Sequence, residues 1–149
     1  MFKRILVAVD GSETSRRALA EAVDLARDQS AALRIVTVVD EALLYGSDPV
    51  IIDMTKLEGA LISEADKTLA EAQETARKAG VNAEVKRLAT AAINQRVPDL
   101  VVQEAQQWPA DLVVLGTHGR RGVSRLFLGS VAEGITRSCP VPVLLVRGA

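Results

Sequence analysis

A glycine-rich turn, VVLGTHGRRGVSRLFLGS at residues 113–130, constrains the fold of this sequence more than any other stretch. An apolar run at residues 112–115 stops at Gly116, and a helical pattern opens at Ser130. Glycines at a strand-to-helix turn let backbone N–H groups approach a ligand, because no Cβ intervenes and a positive φ costs little. The following helix adds unpaired N–H groups and the positive end of its dipole. The turn therefore predicts an anion site in which main-chain amides at Gly129 and Ser130 hold a phosphate.

The same turn also has an interpretation without a ligand. Gly116, Gly119, Gly129 and Ser130 could simply belong to a surface loop that is followed by a capped helix. Ser130 and Glu133 fit the Ser-x-x-Glu capping box, which predicts that Ser130 caps the helix. The charged and imidazole side chains of the turn are interpreted as exposed surface groups: His118, Arg120, Arg121 and Arg125.

Strand and helix patterns alternate along the whole chain. Short apolar runs rich in β-branched residues are typical of strands buried on both faces of a parallel sheet. The predicted strands lie at residues 5–9, 33–39, 81–88, 112–115 and 141–146. The predicted helices open after Ser12 and at residues 55, 98 and 130. This β-α-β-α-β-α-β-α-β order predicts an α/β fold, a single open parallel five-stranded sheet with helices on both faces, because parallel crossovers need a covering helix.

Particular residues mark the ends and faces of these elements. Ser12 is expected to cap the first helix, and Gly80 to end the second helix in the left-handed conformation. Alternating apolar and polar residues at 81–88 predict a strand near an edge of the sheet, exposed on one face. In the last helix, Val131 and Ile135 are expected to point inward.

Composition limits the broad class of protein. A chain of 149 residues with 48% hydrophobic and 25% charged residues suits one globular domain over residues 1–149. Its net charge of −1 supplies no general field for nucleic acid, so we expect no such partner. No run reaches the ~18 apolar residues of a membrane span, and the apolar run before Asp10 is too short for a signal peptide. The single Cys139 cannot form an internal disulfide, which fits a reducing compartment. Together with the short apolar runs, this predicts a cytoplasmic protein without a membrane partner.

The spacing of the glycines resembles a known signature. The pattern Gly116-x2-Gly119-x9-Gly129-Ser130 fits neither G-x-x-x-x-G-K-[ST] nor a G-x-G-x-x-G directly after a strand. It resembles the nucleotide-binding signature G-x2-G-x9-G-[ST] of the universal stress protein family. The resemblance extends over nearly the whole chain. The matching stretches are VAVDGSE at 7–13, VTVVDE at 36–41, ADLVVLGTHGRRG at 110–122, GSVAE at 129–133 and CPVPVLLVR at 139–147.

This resemblance implies a fold, a ligand and an assembly. The fold is a Rossmann-like sheet of strand order 3-2-1-4-5, in which ligands bind beyond the carboxyl ends of the first and fourth strands. The ligand is ATP, or alternatively AMP or cyclic AMP, with Mg²⁺ possible beside ATP. The assembly is a homodimer through the terminal strand between Val141 and Val146, which would also cover an apolar sheet edge. The residues assigned to the nucleotide are Asp10 and Val38 at the adenine and ribose, Gly116 and Gly119 at the ribose and first phosphate, and Gly129, Ser130 and Val131 at the phosphates.

Some features leave other functions open. Position 132 is alanine, whereas some ATP-binding relatives have a hydroxyl residue there, which implies weaker ATP binding or a nucleotide with fewer phosphates. The family's short glycine-containing entry to the third helix is replaced by ATAAINQRVP. Asp10 could serve only to stabilise the turn after the first strand. A nucleotide-free protein that acts through protein–protein contact is therefore a second hypothesis.

Catalytic patterns are not evident in the sequence. We find no Ser/His/Asp order, CxxC or HExxH motif, and no lysine follows the glycine turn as in a Walker site. We therefore expect a binding protein and not an enzyme. Slow ATP hydrolysis or adenylyl transfer stays open as a third hypothesis.

Overall fold

The computed structural model of the chain describes residues 1–41, 44, 53–90, 94–118 and 128–148. These residues form strands and helices in the alternating order that the sequence predicted. The elements are β1 (Arg4–Ala8), α1 (Glu13–Gln29), β2 (Ala32–Val39), α2 (Met54–Lys78), β3 (Ala83–Ala89), α3 (Val97–Gln107), β4 (Leu112–Gly116), α4 (Ser130–Ser138) and β5 (Val143–Val146).

The five strands form one parallel sheet in the order β3-β2-β1-β4-β5. The central strand β1 pairs with β2 on one side, where Ile5 lies opposite Leu33, and with β4 on the other, where Ile5 lies opposite Leu112. The predicted α/β fold and strand order 3-2-1-4-5 are confirmed. Since the strand order reverses between β1 and β4, their carboxyl ends form the switch point at which open parallel sheets bind ligands.

Each face of the sheet has its own hydrophobic core. Ile5 and Val7 of β1 point into the core beneath α1 and α2, and Leu6 points into the core beneath α3 and α4. All three side chains are fully buried. This burial on both faces explains why β1 reads as a continuous apolar run instead of an alternating one.

The helix ends follow the sequence signals in two places. Ser12 is the N-cap of α1, and its side chain accepts a hydrogen bond from the amide of Ser15 at 3.2 Å. Gly80 follows α2 with a φ of +81°, and its amide donates to the carbonyl of Arg77 at 3.0 Å. Both predictions are confirmed, because these caps depend on residues within one turn of the helix end.

The two edges of the sheet differ in chemistry. Edge strand β3 exposes Glu84, Lys86 and Arg87. Edge strand β5 consists of four apolar residues that are all half-buried. The expectation of an edge strand at 81–88 is confirmed, but its alternation is not complete, because the apolar Val85 is also exposed.

The terminal strand is shorter than the sequence predicted. It begins at Val143 and not at residue 141, since Pro142 has no N–H to donate to a ladder. The carbonyl of Pro142 still accepts a hydrogen bond from the amide of Val113 at 3.0 Å. Among the helices in the described part of the chain, none combines the length and apolarity needed to cross a membrane.

Candidate functional site

The segments that follow β1, β2 and β4 emerge at neighbouring positions on the carboxyl edge of the sheet, because these three strands are adjacent. Three of the residues that the sequence assigned to a ligand site lie at this edge. Asp10 follows β1, Val38 lies near the end of β2, and Gly116 ends β4. The fold therefore brings together predicted site residues that lie far apart in sequence.

Asp10 takes part in the tight turn between β1 and α1. Its carboxylate Oδ1 accepts a hydrogen bond from the amide of Ser12 at 2.9 Å, and its own amide donates to Ser15 Oγ at 3.3 Å. Gly11 between them has a φ of +81°, which glycine adopts without strain. Asp10 therefore stabilises the turn, as one interpretation of the sequence expected. Its contact with a nucleotide stays a prediction.

Val38 lies near the carboxyl end of β2 with its side chain half-buried. It packs against the core beneath α3 and α4, the face to which Leu6 and Val36 also point. A base that packed on Val38 would therefore approach the sheet from this face. That contact stays a prediction.

Gly116 is the last residue of β4 and lies directly against the first turn of α1. A Cβ atom at this position would lie 2.9 Å from Thr14 Cβ, 3.0 Å from Thr14 C and 3.1 Å from Thr14 O. Two of these neighbours are main-chain atoms that cannot rotate away. A glycine is thus required at position 116 by protein packing, whether or not a ligand binds.

The start of the glycine turn is held by three hydrogen bonds. The amide of Thr117 donates to the carbonyl of Val146 at 2.9 Å, and its carbonyl accepts from the amide of Gly129 at 2.8 Å. The hydroxyl of Thr14 donates to the carbonyl of His118 at 2.8 Å. These bonds bring the two ends of the turn side by side and attach them to both α1 and β5.

The middle of the turn lies outside the described residues. This segment, residues 119–127, contains the predicted site residue Gly119. It also contains the arginines that we interpreted as surface charges: Arg120, Arg121 and Arg125. His118, immediately before it, is half-buried and not exposed as the sequence suggested, and its Nδ1 lies 3.0 Å from Thr117 Oγ1.

Helix α4 spans Ser130–Ser138, as the sequence predicted, but its N-cap is Gly129 and not Ser130. Gly129 is the N-cap, and its carbonyl accepts the first helical hydrogen bond from the amide of Glu133 at 2.9 Å. Ser130 is therefore the first helical residue, and no side chain caps α4. The capping box was wrong because the backbone turns into the helix at Gly129, which places the Ser130 hydroxyl one position too late.

The start of α4 leaves amides available for an anion. The amide of Gly129 is bonded to Thr117, as described above, whereas the amides of residues 130–132 belong to the first turn, where a helix has no internal acceptor. These amides and the helix dipole favour negative charge. Because Gly129 bonds to Thr117 at the end of β4, this favourable position lies at the carboxyl edge of the sheet, beside the switch point.

The inward face of α4 differs from the prediction at one position. Ile135 is fully buried as expected, but Val131 is 37% exposed and Ala132 is buried in its place. Ala132 lies with Ile135 in the core beneath α3 and α4, so packing against α3 sets which face of α4 is buried. Val131 is therefore an exposed apolar side chain beside the first-turn amides of α4.

Two further observations concern metals and thiols. Within residues 1–41, 44, 53–90, 94–118 and 128–148, no cluster of three or more His, Cys, Asp or Glu residues could hold a metal ion. The thiol residue Cys139 is half-buried against the core beneath α3 and α4.

A charged cluster that the sequence did not indicate lies on the face of the sheet that α3 and α4 cover. Glu104 of α3 is 3% exposed, accepts from Arg34 Nη1 at 2.7 Å and accepts from Lys86 Nζ at 2.8 Å. Arg34 also bonds Glu84 and stacks 4.7 Å from the centroid of the Trp108 ring. The cluster joins β2, β3 and α3. No local pattern in the sequence indicates it, because its members come from three separate elements.

Opposing effects act on the pKa of the Glu104 carboxyl. Burial, the largest effect, raises it, but the hydrogen bonds from Lys86 and Arg34 outweigh burial, so the pKa lies below the ordinary value of 4.5. The carboxyl is therefore ionised at neutral pH. Arg34 is the fourth residue before Val38 on β2, so the cluster lies toward the amino end of the strands, away from the switch point.

Comparison with known proteins identifies the same family over the whole chain. A sequence model of the universal stress protein family matches residues 1–147. The chain is 33% identical over 153 residues to the universal stress protein YxiE of Bacillus subtilis (strain 168). That alignment covers 99% of this chain and 100% of the relative.

Two solved structures that resemble the chain contain nucleotides. A universal stress protein in complex with cAMP is 28% identical, with a TM-score of 0.72, and 99% of each chain is covered. The universal stress protein from Archaeoglobus fulgidus in complex with dAMP is 26% identical, with a TM-score of 0.70, and 97% of each chain is covered.

Proposed function

The chain belongs to the universal stress protein family, and we propose that it is a cytoplasmic, homodimeric protein that binds an adenine nucleotide and changes its contacts with partner proteins in response. We propose ATP as the ligand, with AMP or cyclic AMP as the alternative. The protein performs no catalysis beyond, at most, slow ATP hydrolysis. The proposal combines two features: the glycine signature of the sequence and the position of that segment at the carboxyl edge of the sheet.

One observation carries the proposal. The hydrogen bond from Gly129 to Thr117 sets the start of α4 beside the end of β4, so the first-turn amides of α4 lie at the carboxyl edge of the sheet, beside the switch point. A phosphate bound there would gain main-chain hydrogen bonds and the favourable end of the helix dipole. The assignment is supported by the complexes of two relatives with cAMP and dAMP, which are both adenine nucleotides.

The proposed contacts follow the order base, ribose and phosphate. Asp10 and Val38 contact the adenine and ribose, Gly116 and Gly119 contact the ribose and first phosphate, and Ser130 and Val131 contact the phosphates through their amides. Gly129 contributes by setting the helix start, and its amide contacts a phosphate only if its bond to Thr117 opens. When ATP is bound, Mg²⁺ would be held by the phosphate oxygens together with water.

The number of phosphates is the least constrained part of the proposal. Ala132 offers its amide but no hydroxyl, so a long phosphate chain gains one contact fewer than in relatives with a hydroxyl residue there. Equilibrium dialysis with ATP, AMP and cyclic AMP, each with and without Mg²⁺, tests this directly. Retention of at least one of them is expected. Retention of none would refute nucleotide binding and favour the nucleotide-free hypothesis, and release of phosphate or pyrophosphate would favour an enzyme.

A variant in the glycine turn tests the proposed site. Gly119→Val should abolish nucleotide retention, because a branched side chain would block the approach of a ligand to the main chain. It should leave the oligomeric state unchanged. Nucleotide identified in the supernatant of the denatured, freshly purified wild-type protein would show which ligand the cell supplies.

The proposed homodimer rests on the edge strand β5. Its four apolar residues are half-buried, whereas the opposite edge strand β3 exposes charged side chains. Exposed charge is a common means by which edge strands avoid pairing, and an apolar edge needs a cover. We propose that two copies of β5 pair antiparallel about a two-fold axis, which covers this edge in both subunits.

A further inference from the structure

Buried threonines are concentrated at the carboxyl edge of the sheet. Thr14, Thr37 and Thr90 are each at most 9% exposed. The hydroxyl of each one forms a hydrogen bond with the main chain of a segment that follows a different strand. We refer to these three residues as the threonine belt.

Thr37 connects β2 to the end of β1. Its hydroxyl donates to the carbonyl of Val9 at 2.7 Å, and this bond is buried. Val9 immediately precedes Asp10, so the bond fixes the position from which the turn with Asp10 and Gly11 starts. The main chain of Val9 is also held by its amide, which donates to the carbonyl of Val36 at 2.9 Å.

Thr14 connects α1 to the segment after β4. Its hydroxyl donates to the carbonyl of His118 at 2.8 Å, across 104 residues of sequence. The same side chain is the one against which Gly116 packs. Thr14 therefore determines both how close β4 lies to α1 and where the glycine turn leaves the sheet.

Thr90 connects the segments after β3 and β2. Its hydroxyl accepts a hydrogen bond from the amide of Glu41 at 2.9 Å, and its own amide donates to the carbonyl of Val39 at 3.2 Å. Together the three hydroxyls link the ends of β3, β2, β1 and β4 in the order in which these strands lie in the sheet. The bond from Thr117 to Val146 continues the series to β5.

Packing of the hydrophobic cores does not by itself explain why these three positions are threonines. Valine has almost the same shape as threonine, and a buried hydroxyl that forms no hydrogen bond is unfavourable. A valine at each position would fill the same space but would leave the end of a strand without its link to the next segment. The hydroxyls thus add a second link at the ends of the ladder, where few main-chain bonds such as those from the amides of Val9 and Thr90 still join neighbouring strands.

We propose that Thr14, Thr37 and Thr90 are positioning residues that hold the strand-end segments in a fixed arrangement before any ligand binds. This arrangement belongs to the protein itself. Its consequence for nucleotide affinity rests on the function proposed above, because a site arranged in advance loses less conformational freedom when the nucleotide arrives.

The test uses isosteric and rescuing variants of the full chain. Thr14→Val, Thr37→Val and Thr90→Val remove each hydroxyl, and Thr14→Ser, Thr37→Ser and Thr90→Ser restore it. Thr75→Val is the control, since the exposed Thr75 hydroxyl donates to the carbonyl of Glu71 within α2, away from the site. The readouts are amide hydrogen exchange of the ligand-free protein, nucleotide affinity and the midpoint of urea unfolding.

In the ligand-free protein, each valine variant should raise exchange near the lost bond. The affected amides are Thr117 and Gly129 for Thr14→Val, Asp10 and Ser12 for Thr37→Val, and Glu41 for Thr90→Val. Removal of one neutral hydrogen bond corresponds to roughly 2- to 10-fold faster local exchange and a similar loss of nucleotide affinity. The serine variants should recover both values, and Thr75→Val should change neither.

The outcomes separate this proposal from the proposed function. If the valine variants leave exchange of these amides unchanged, the threonine belt does not position the segments, and the proposal is overturned whether or not a nucleotide binds. If exchange rises but the valine variants bind the nucleotide as tightly as the wild type does, the role of the threonine belt in nucleotide binding is overturned. If the wild type binds none of ATP, AMP and cyclic AMP, the function proposed above fails. Amide hydrogen exchange alone then tests whether the threonine belt positions the strand-end segments.

Discussion

Gly116 and Thr14 approach so closely that a Cβ atom on Gly116 would lie 2.9 Å from Thr14 Cβ and 3.0 Å from the Thr14 carbonyl carbon. The two residues are far apart in sequence and meet because α1 returns across the sheet to lie against β4. From the sequence, we expected a glycine here because it lets a ligand approach the main chain. The structure adds a requirement from packing, so loss of ligand binding in a Gly116 variant would not by itself identify a ligand contact.

Gly116→Ala should therefore destabilise the protein in the absence of any ligand. Overpacking against main-chain atoms typically costs about 1–3 kcal/mol of the free energy of unfolding, which urea denaturation measures. Gly59→Ala is the matched control, because a Cβ at this position within α2 meets no atom within 4 Å. It should leave stability unchanged or raise it by about 0.5–1 kcal/mol. Equal stability of the two variants would contradict the close contact.

Ser12→Ala and Ser130→Ala should differ, although both serines stand near the start of a helix. Ser12 caps α1 through its side chain, and loss of such a cap costs about 0.5–2 kcal/mol. Ser130 caps no helix, so its replacement should change the free energy of unfolding by less than about 0.5 kcal/mol. If Ser130→Ala lowers the free energy of unfolding as much as Ser12→Ala does, Ser130 does cap α4.

Ser130→Asp should change stability and nucleotide affinity in opposite directions. A carboxylate in the first turn of α4 complements the helix dipole and should add about 0.3–1 kcal/mol to the free energy of unfolding. It should also repel a phosphate and weaken nucleotide binding by at least about tenfold. Ser138→Asp, at the other end of α4, is the control: it should lower stability and leave affinity unchanged. Unchanged affinity in Ser130→Asp would exclude the start of α4 as the phosphate site.

Val143→Lys should shift the protein from dimer to monomer in sedimentation velocity, because it adds a charge to the proposed β5 interface. Val85→Lys makes the same exchange on the opposite edge strand β3, where Val85 is already exposed. This control should leave the dimer intact. A monomeric wild type, or a Val143→Lys variant that remains dimeric, would refute pairing through β5.

Glu104→Gln should lower stability at neutral pH by about 1–3 kcal/mol, because it weakens the charged hydrogen bonds to Arg34 and Lys86. The pKa of Glu104 in the folded protein lies below 4.5, so the ionised carboxyl contributes stability above that pH and loses it as the pH falls through the folded pKa. The difference from the wild type should therefore be largest near pH 7 and shrink below pH 4.5 in urea titrations. The exposed Glu71→Gln is the control and should leave the pH profile unchanged. A difference independent of pH would show that Glu104 acts through packing and not through charge.

Most of the fold could be predicted because its signals are local. The apolar runs, the Ser12 cap and the stop at Gly80 each depend on a few neighbouring residues, and all three agree with the structure. The order of strands and helices then leaves few topologies, since parallel crossovers share one hand. The order 3-2-1-4-5 itself came from the family resemblance, and the structure confirms it.

Less of the candidate site could be predicted. The sequence located the segments after β1, β2 and β4 and the start of α4 at Ser130, but it misassigned the N-cap of α4 and misjudged which side chain of its first turn is buried. Both errors concern Gly129 to Ala132, where packing against α3 decided the rotation of the helix. Gly119 lies outside the described residues, so its role stays a prediction.

The sequence by itself determined the kinds of elements, their order and the difference between an apolar and a charged sheet edge, because these follow from periodicity and local hydrogen bonding. Only the tertiary structure decided the partners: Thr14 with His118, Thr37 with Val9, and Glu104 with Arg34 and Lys86. Such pairs join residues from separate elements, and their geometry depends on where each crossover sets a helix or strand end. A hydroxyl or carboxylate in the sequence does not show which distant main chain or charge it will meet.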